Sequence, residues 1–333
     1  MSRSVITAFN EFQKDTVNLD TNLNDRAKRS KNWLLEKISK FDSTVENFPL
    51  LYPKIDIHFG SYARKTKIRE LDDIDLMIGL NAQGSTHAEY SNRIEIHVSD
   101  KATNLLRLCH PQGNVLNSKR VINKFVSACE NIPQYNNADI KRNQEAATLK
   151  LSSYTWNFDI VPCFITQENS DGETFYLIPD GNGHWKKTNP RLDKERASLI
   201  NQSHDGNVLQ AIRIMKYWNR RVAMPTITSY LLETIILNYY KANTNKASSY
   251  VDIEIPKILN YLYDNILGDI NDPKNIQGNI NGLTFDERYR VRTKASSDYT
   301  KAIAARKLEE DGNNKSSINK WREIFGDNFP KYE

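Results

Sequence analysis

Asp73 and Asp75 stand at i and i+2 in Leu71-Asp72-Asp73-Ile74-Asp75-Leu76-Met77. Strand side chains alternate between faces, so these two carboxylates point the same way while Ile74 and Leu76 turn inward. Like charges on one sheet face repel unless a cation lies between them, and hard oxygen ligands select a divalent ion such as Mg²⁺. Asp72 falls on the opposite face and is left out of the set. Upstream, Phe59-Gly60-Ser61-Tyr62 reads as a strand end and a small turn. Glycine there lets backbone N–H groups approach a phosphate. Asp159 is the only charge in Trp156-Asn157-Phe158-Asp159-Ile160-Val161-Pro162-Cys163-Phe164. An acid in an apolar strand is costly when unpaired, so it has either a structural salt bridge or a metal. With Asp73 and Asp75 it makes three carboxylates on adjacent strands, the arrangement that holds two divalent ions for in-line displacement at phosphorus. The chemistry implied is phosphoryl or nucleotidyl transfer, with Asp73, Asp75 and Asp159 catalytic and metal-ligating and with Gly60 and Ser61 against phosphate. Arg64, Lys65 and Lys67 follow the turn, either as further phosphate contacts or as a solvated basic loop.

The elements that must carry these residues follow from periodicity. Apolar spacing predicts helix over 3–45, a break with two prolines over 47–53, and a half-buried strand over 55–59. The strand with Asp73 and Asp75 ends near Leu80. Residues 94–98 read as strand, although 89–107 fits helix equally well. Helix is predicted over 119–129, strands over 147–151, 156–165 and 175–178, and a polar glycine-containing loop over 180–190. Beyond Pro190 amphipathic helices dominate, over 206–222, 229–242, 253–267 and 285–311. Arg288, Arg290, Arg292 and Lys294 read as a solvated face of the last of these. The expectation is an α+β chain: an N-terminal bracing helix over 1–50, a mixed-sheet catalytic lobe over 51–190, and a helical lobe over 191–333.

Composition narrows the class. A net charge of +5, from 46 basic and 41 acidic residues, is too weak to mark a long nucleic-acid track, so a nucleic-acid substrate is not favoured. Three widely spaced cysteines and six scattered histidines offer neither a zinc motif nor a disulfide frame, which points to a reducing, cytoplasmic setting. No run is long and apolar enough for a membrane span, and no signal-peptide core is seen.

Gly60-Ser61, eleven intervening residues and Asp73-Ile74-Asp75 resemble the signature of the polymerase-β nucleotidyltransferase superfamily, and Asp159 completes its acid set. A narrower resemblance covers nearly the whole chain. Residues 59–68, 71–77, 156–164 and 175–190 look like segments of the bacterial CD-NTases, the cyclic GMP-AMP synthase-like enzymes, as do Ile214-Met-Lys-Tyr-Trp-Asn219 and Ser229-Tyr-Leu-Leu-Glu233. The fold this implies is bilobal, a polymerase-β-like lobe plus a helical lobe with nucleotides in the cleft between. The activity implied is the joining of nucleoside triphosphates, ATP and GTP favoured, with release of pyrophosphate. Its product would be a cyclic oligonucleotide messenger, expected here as a cyclic dinucleotide of the cGAMP type, in anti-phage (CBASS) signalling. Two Mg²⁺ ions, with Mn²⁺ as a substitute, a downstream effector protein activated by the product, and a monomeric enzyme complete that picture.

The same resemblance gives roles to residues that would otherwise read plainly. Lys216, by itself a surface lysine, matches a contact to the donor triphosphate. Ser229, by itself an N-cap, matches a terminal-phosphate contact at a helix N-terminus. Tyr230, by itself packing, matches a residue that stacks on a nucleobase. Thr188 and Asn189, by themselves loop residues, match acceptor-base contacts, and Arg64 matches a phosphate contact. Two other functions fit the same acids: an RNA- or protein-modifying nucleotidyltransferase (a tail-adding enzyme or AMP-transferring toxin), and an inactive nucleotide sensor.

Overall fold

The computed structural model describes residues 3–221, 225 and 227–333. It comprises two compact units, one of residues 22–63 and 70–191 and the other of residues 1–21, 64–69 and 192–333. This differs from the expected 1–50, 51–190 and 191–333 at two places. The N-terminal segment is divided at Thr21, because Val5, Phe9, Phe12 and Val17 belong to the core of the helical unit. Residues 64–69 belong to that unit as well, with Ile68 in the same core.

The first unit is built on a sheet. Among the described residues nine strands form it: β1 (Ile57–His58), β2 (Asp73–Gly79), β3 (Thr86–Glu89), β4 (Ile94–His97), β5 (Asp139–Asn143), β6 (Ala146–Lys150), β7 (Asn157–Ile165), β8 (Tyr176–Pro179) and β9 (Trp185–Thr188). Their order is β1-β2-β7-β8-β9-β4-β3, with β6 pairing β7 and carrying β5 beside it. Only the β2–β7 pair is parallel among these strands. Both strands alternate at their N-terminal ends, with Asp73, Asp75, Asn157 and Asp159 half-buried between buried Ile74, Leu76, Phe158 and Ile160. Further along, Met77, Ile78, Val161 and Cys163 are buried in succession, as befits central strands. Along β2 and β7 the half-exposed positions thus begin at the end that carries the acids.

Several elements differ from their sequence expectations. The strand predicted over 55–59 shrinks to β1, because Pro53 opens a 3₁₀ turn through Ile55. The ambiguous 89–107 region resolves into β4 and a short helix, Thr103–Leu106. The loop over 180–190 is neither exposed nor irregular throughout. Asp180 Oδ1 accepts the N–H groups of Asn182, Gly183 and His184, and β9 follows at once. Trp185 is fully buried there and donates its indole N–H to the Leu116 carbonyl at 3.1 Å. All three cysteines are buried free thiols.

The second unit packs the helices Val5–Phe12, Val208–Asn219, Ser229–Ala242, Val251–Asn265, Phe285–Glu310 and Asn314–Phe325, with most of Pro190–Ser203. The expected end of the second of these at Val222 lies outside the described residues. Phe9 meets Trp321 and Phe329 edge-on at 5.0 and 4.9 Å, and Phe12 meets Tyr217 at 4.9 Å. Each such pair contributes about 0.5–1.5 kcal/mol beyond area burial. The basic strip on Phe285–Glu310 is not a uniformly solvated face. The Arg288 guanidinium donates to the carbonyls of Leu283, Leu267 and Asn281, Arg292 lies over the Tyr263 ring at 4.3 Å, and Lys294 pairs with Asp298 at 2.8 Å. No helix among the described residues is long and apolar enough to cross a membrane.

Candidate active site

The parallel register aligns Asp75 with Asp159 and Asp73 with Asn157. Two strands remote in sequence thus set three carboxylates on one sheet face, Asp73 and Asp75 by the two-residue alternation and Asp159 by lateral pairing. On the other flank of β7, Thr148 pairs with Asp159 and donates its hydroxyl to Asp159 Oδ1 at 2.6 Å. That hydroxyl fixes one carboxylate oxygen and leaves the orientation of the group defined.

Gly60 closes against this row. It opens the single helical turn Gly60–Ala63, with Ser61 partly exposed beside it, and has φ +70°. A Cβ on Gly60 would fall 1.8 Å from Asp75 Oδ2 and 2.7 Å from its Cγ. Only a residue without a side chain lets the Asp75 carboxylate lie on the turn, and the left-handed backbone favours glycine independently. Tyr62 anchors the turn from behind, donating to Asn24 Oδ1 at 2.7 Å. Among the described residues no three His, Cys, Asp or Glu side chains converge as a ready-made metal cage. The donors nevertheless have the right chemistry for Mg²⁺, which binds through one or two carboxylates and completes its octahedron with water and phosphate oxygens.

In the helical unit, the expected phosphate contacts Arg64 and Lys216 come together on one acid. Lys216 is not a surface lysine: 5% of it is exposed. Its ammonium lies 2.5 Å from Glu233 Oε1 and donates to the Thr66 carbonyl at 3.1 Å. Arg64 donates its Nε to Glu233 Oε2 at 2.9 Å, and Lys67 is buried nearby in sequence. Of the basic segment after the turn, Lys65 is exposed, whereas Arg64 and Lys67 are drawn into the protein. Burial lowers the Lys216 pKa, with Glu233 opposing it, and the neighbouring Arg64 and Lys67 charges push the same way as burial. Burial alone would raise the Glu233 carboxyl, but Arg64 and Lys216 outweigh it and hold the group below its usual value. Arg64 and Lys216 thus share the single Glu233 carboxylate, an arrangement suited to polyanionic ligands.

The remaining expected residues divide. Ser229 is exposed at the first position of its helix, while Thr228 is the N-cap, accepting from the Leu231 N–H. Tyr230 follows it and is tied through its phenol to Asp193 and Asp272. Thr188 ends β9 opposite Tyr176. Asn189 is buried, donating to the Thr174 carbonyl at 3.3 Å and accepting from Arg191 Nε at 3.1 Å, so both ends of its amide serve the protein itself. Sequence reasoning gave no role to Thr148, Glu233, Asp193, Asp272 or Lys274. Glu233 carried a signal, an acid between Leu231-Leu232 and Ile235-Ile236 on a buried face. The others carried none that set them apart from surface residues.

The chain matches no protein-family model. It is 44% identical over 335 residues, covering all of both chains, to the Bacillus cereus (strain VD146) protein named "Probable cyclic nucleotide synthase IK1_05630". It is 27% identical over 202 residues, 58% of this chain and 56% of the other, to a cyclic AMP-AMP-AMP synthase of Acinetobacter sp. (strain ATCC 27244 / 9458). Among solved structures, E. coli MS115-1 CdnC with ATP superposes with a TM-score of 0.69 at 18% identity, covering 98% of each chain.

Proposed function

The chain belongs to the bacterial CD-NTases, the cyclic GMP-AMP synthase-like nucleotidyltransferases, and on that premise we propose that it is a metal-dependent synthase that joins purine nucleoside triphosphates into a cyclic oligonucleotide messenger. The observation that carries the reading is the parallel β2–β7 register, which sets Asp159 beside Asp75 while Gly60 packs on the Asp75 carboxylate. Asp73, Asp75 and Asp159 would hold two Mg²⁺ ions, with Mn²⁺ as a substitute. Such ions supply activation of the attacking ribose hydroxyl and charge neutralisation at the triphosphate.

The protein groups do the rest. The Gly60-Ser61 turn offers backbone N–H groups to the donor phosphates, and Thr148 keeps Asp159 turned toward the acceptor. Glu233 holds Arg64 and Lys216 as a preformed cationic cluster for the triphosphate, and Ser229 meets a terminal phosphate oxygen. The Tyr230 ring stacks on the base, and Thr188 contacts the acceptor base. The Asn189 amide instead braces the segment that carries Thr188. A cyclic dinucleotide of the cGAMP type from ATP and GTP, made by a monomer to activate an effector protein in anti-phage signalling, is the specific form of the proposal.

A second reading of the product is an adenosine trinucleotide from ATP alone, favoured by the likeness to the cyclic AMP-AMP-AMP synthase. Incubation with pairwise radiolabelled nucleotides and Mg²⁺, without any macromolecule, followed by nuclease digestion and mass spectrometry, separates the two. A nuclease-resistant product containing both A and G supports the first reading, and product from ATP alone supports the second. Label transfer only when RNA or protein is added would overturn both in favour of a macromolecule-modifying enzyme.

A further inference from the structure

Three charged side chains from two separate segments converge on the phenol of Tyr230. Asp193 comes from the helix Pro190–Ser203, and Asp272 and Lys274 come from the loop after Val251–Asn265. The phenol oxygen lies 2.9 Å from Asp193 Oδ1 and 2.8 Å from Asp272 Oδ1, and the Lys274 ammonium donates to the same oxygen. Lys274 also pairs with Asp193 at 3.1 Å and Asp272 at 3.2 Å. A phenol has one proton, so at any instant it donates to one carboxylate while it accepts from Lys274.

This frame is stiff. The Asp272 side chain is wholly buried, and its Oδ2 accepts the N–H groups of Ile276 and Gln277 at 3.3 and 3.1 Å. The loop is thereby wrapped around the carboxylate that holds the tyrosine. Lys274 lies 4.1 Å from the Tyr230 ring centroid as well, so a cation covers one ring face. Buried ion networks are often no more stable than apolar side chains of the same volume, which leaves fixed geometry as the return on this one.

Resting on the reading of Tyr230 as a stacking residue, we propose that Asp193, Asp272 and Lys274 are positioning residues that lock the tyrosine ring, with Lys274 on one face and the nucleobase on the other. A ring fixed before the nucleotide arrives spares the ordering cost of binding. The lock acts on the base through the ring, although Asp193 also faces the Arg64 charge; a change that loosens the ring without altering charge therefore shapes affinity for nucleotides while leaving affinity for bare triphosphate unchanged.

The test compares Tyr230→Leu, Tyr230→Phe, Asp193→Asn and Lys274→Met in the full chain. Each is measured for KM and kcat with ATP and for binding of a nonhydrolysable ATP analogue with Mg²⁺. Inhibition by inorganic triphosphate is measured in parallel. Removing the ring in Tyr230→Leu weakens analogue binding by about five- to a hundredfold. Tyr230→Phe and Lys274→Met keep the ring but lose the lock, and raise KM and the analogue Kd by about two- to tenfold at near-constant kcat. Triphosphate inhibition stays at the wild-type level in Tyr230→Phe and Tyr230→Leu, which change no charge. Should Tyr230→Leu weaken binding while the other three bind as wild type, the lock is refuted and stacking stands. Should Tyr230→Leu itself bind normally, the stacking reading fails and takes the lock with it. A parallel loss of triphosphate inhibition in Tyr230→Phe would make the network merely structural. If Lys274→Met does not fold, Tyr230→Phe and Asp193→Asn decide.

Discussion

Replacing Gly60 by alanine tests the core of the site with one methyl group. The added Cβ would meet Asp75 Oδ2 at 1.8 Å and Cγ at 2.7 Å. Rotating the carboxylate about χ2 moves the oxygens but leaves Cγ where it is, so either χ1 of Asp75 or the turn itself must give. Reaching a 3.0 Å contact asks for a retreat of about 1.2 Å at the oxygen. A misplacement on the order of 1 Å in a catalytic constellation costs about a hundredfold in rate. Stability falls as well. The left-handed φ of +70° costs about 1–2 kcal/mol for alanine, and overpacking against Asp75 adds about 1–3 kcal/mol. The assay is pyrophosphate release from ATP and GTP with Mg²⁺, alongside denaturant melts of Gly60→Ala, Asp75→Ala and the double variant. With Asp75 truncated the two severe contacts are gone and only a 3.2 Å approach to its Cβ is left, so Gly60→Ala should then cost little beyond the backbone part, about 1–2 kcal/mol. Equal destabilisation in both backgrounds, or wild-type pyrophosphate release by Gly60→Ala, would refute the packing argument.

Four further outcomes are expected. The Asp73→Asn/Asp75→Asn variant loses product formation while the protein stays folded; turnover and circular dichroism melts check it. Thr148→Val removes the hydroxyl that fixes Asp159 and should lower Mg²⁺ affinity by about 10–100-fold, read as a rise in the midpoint of an activity titration. Glu233→Gln leaves Arg64 and Lys216 buried without their counter-charge and should cost about 3–5 kcal/mol. The Glu233 carboxyl is held below its ordinary 4.5, so its contribution is complete above that pH and fades as pH falls below it. The stability gap between wild type and Glu233→Gln should therefore narrow only on the acid side, as melts from pH 7 to pH 3 will reveal. Chelation with EDTA should stop pyrophosphate release and added Mg²⁺ restore it; activity persisting in chelator would exclude the metal-held acids as the catalytic set.

Much of the sheet unit was legible because its signals are local. Alternation alone put Asp73 and Asp75 on one face, and a lone acid in an apolar strand singled out Asp159. Helical periodicity outlined the long helices beyond Pro190. The misreadings lie where local signals compete. Residues 185–188 looked like loop because glycines and polar side chains surround Trp185, yet the buried indole and its bond to Leu116 draw them into the sheet. Charged Asp139–Asn143 has no strand signature and becomes one only by pairing with β6. Residues 64–69 read as a basic loop beside the turn, and only the burial of Ile68 and the Arg64–Glu233 pair assign them to the helical unit.

The sequence by itself determined which groups are available: three aspartates, a Gly-Ser turn, and the strand and helix periods that carry them. Periodicity reports which face a side chain takes, and that requires no partner. Tertiary structure alone decided which groups meet. The β2–β7 register brought Asp159 beside Asp75, Glu233 gathered Arg64 and Lys216, and Asp193, Asp272 and Lys274 closed on Tyr230. Each of these contacts joins residues far apart in the chain, and no local pattern encodes a partner that only folding supplies.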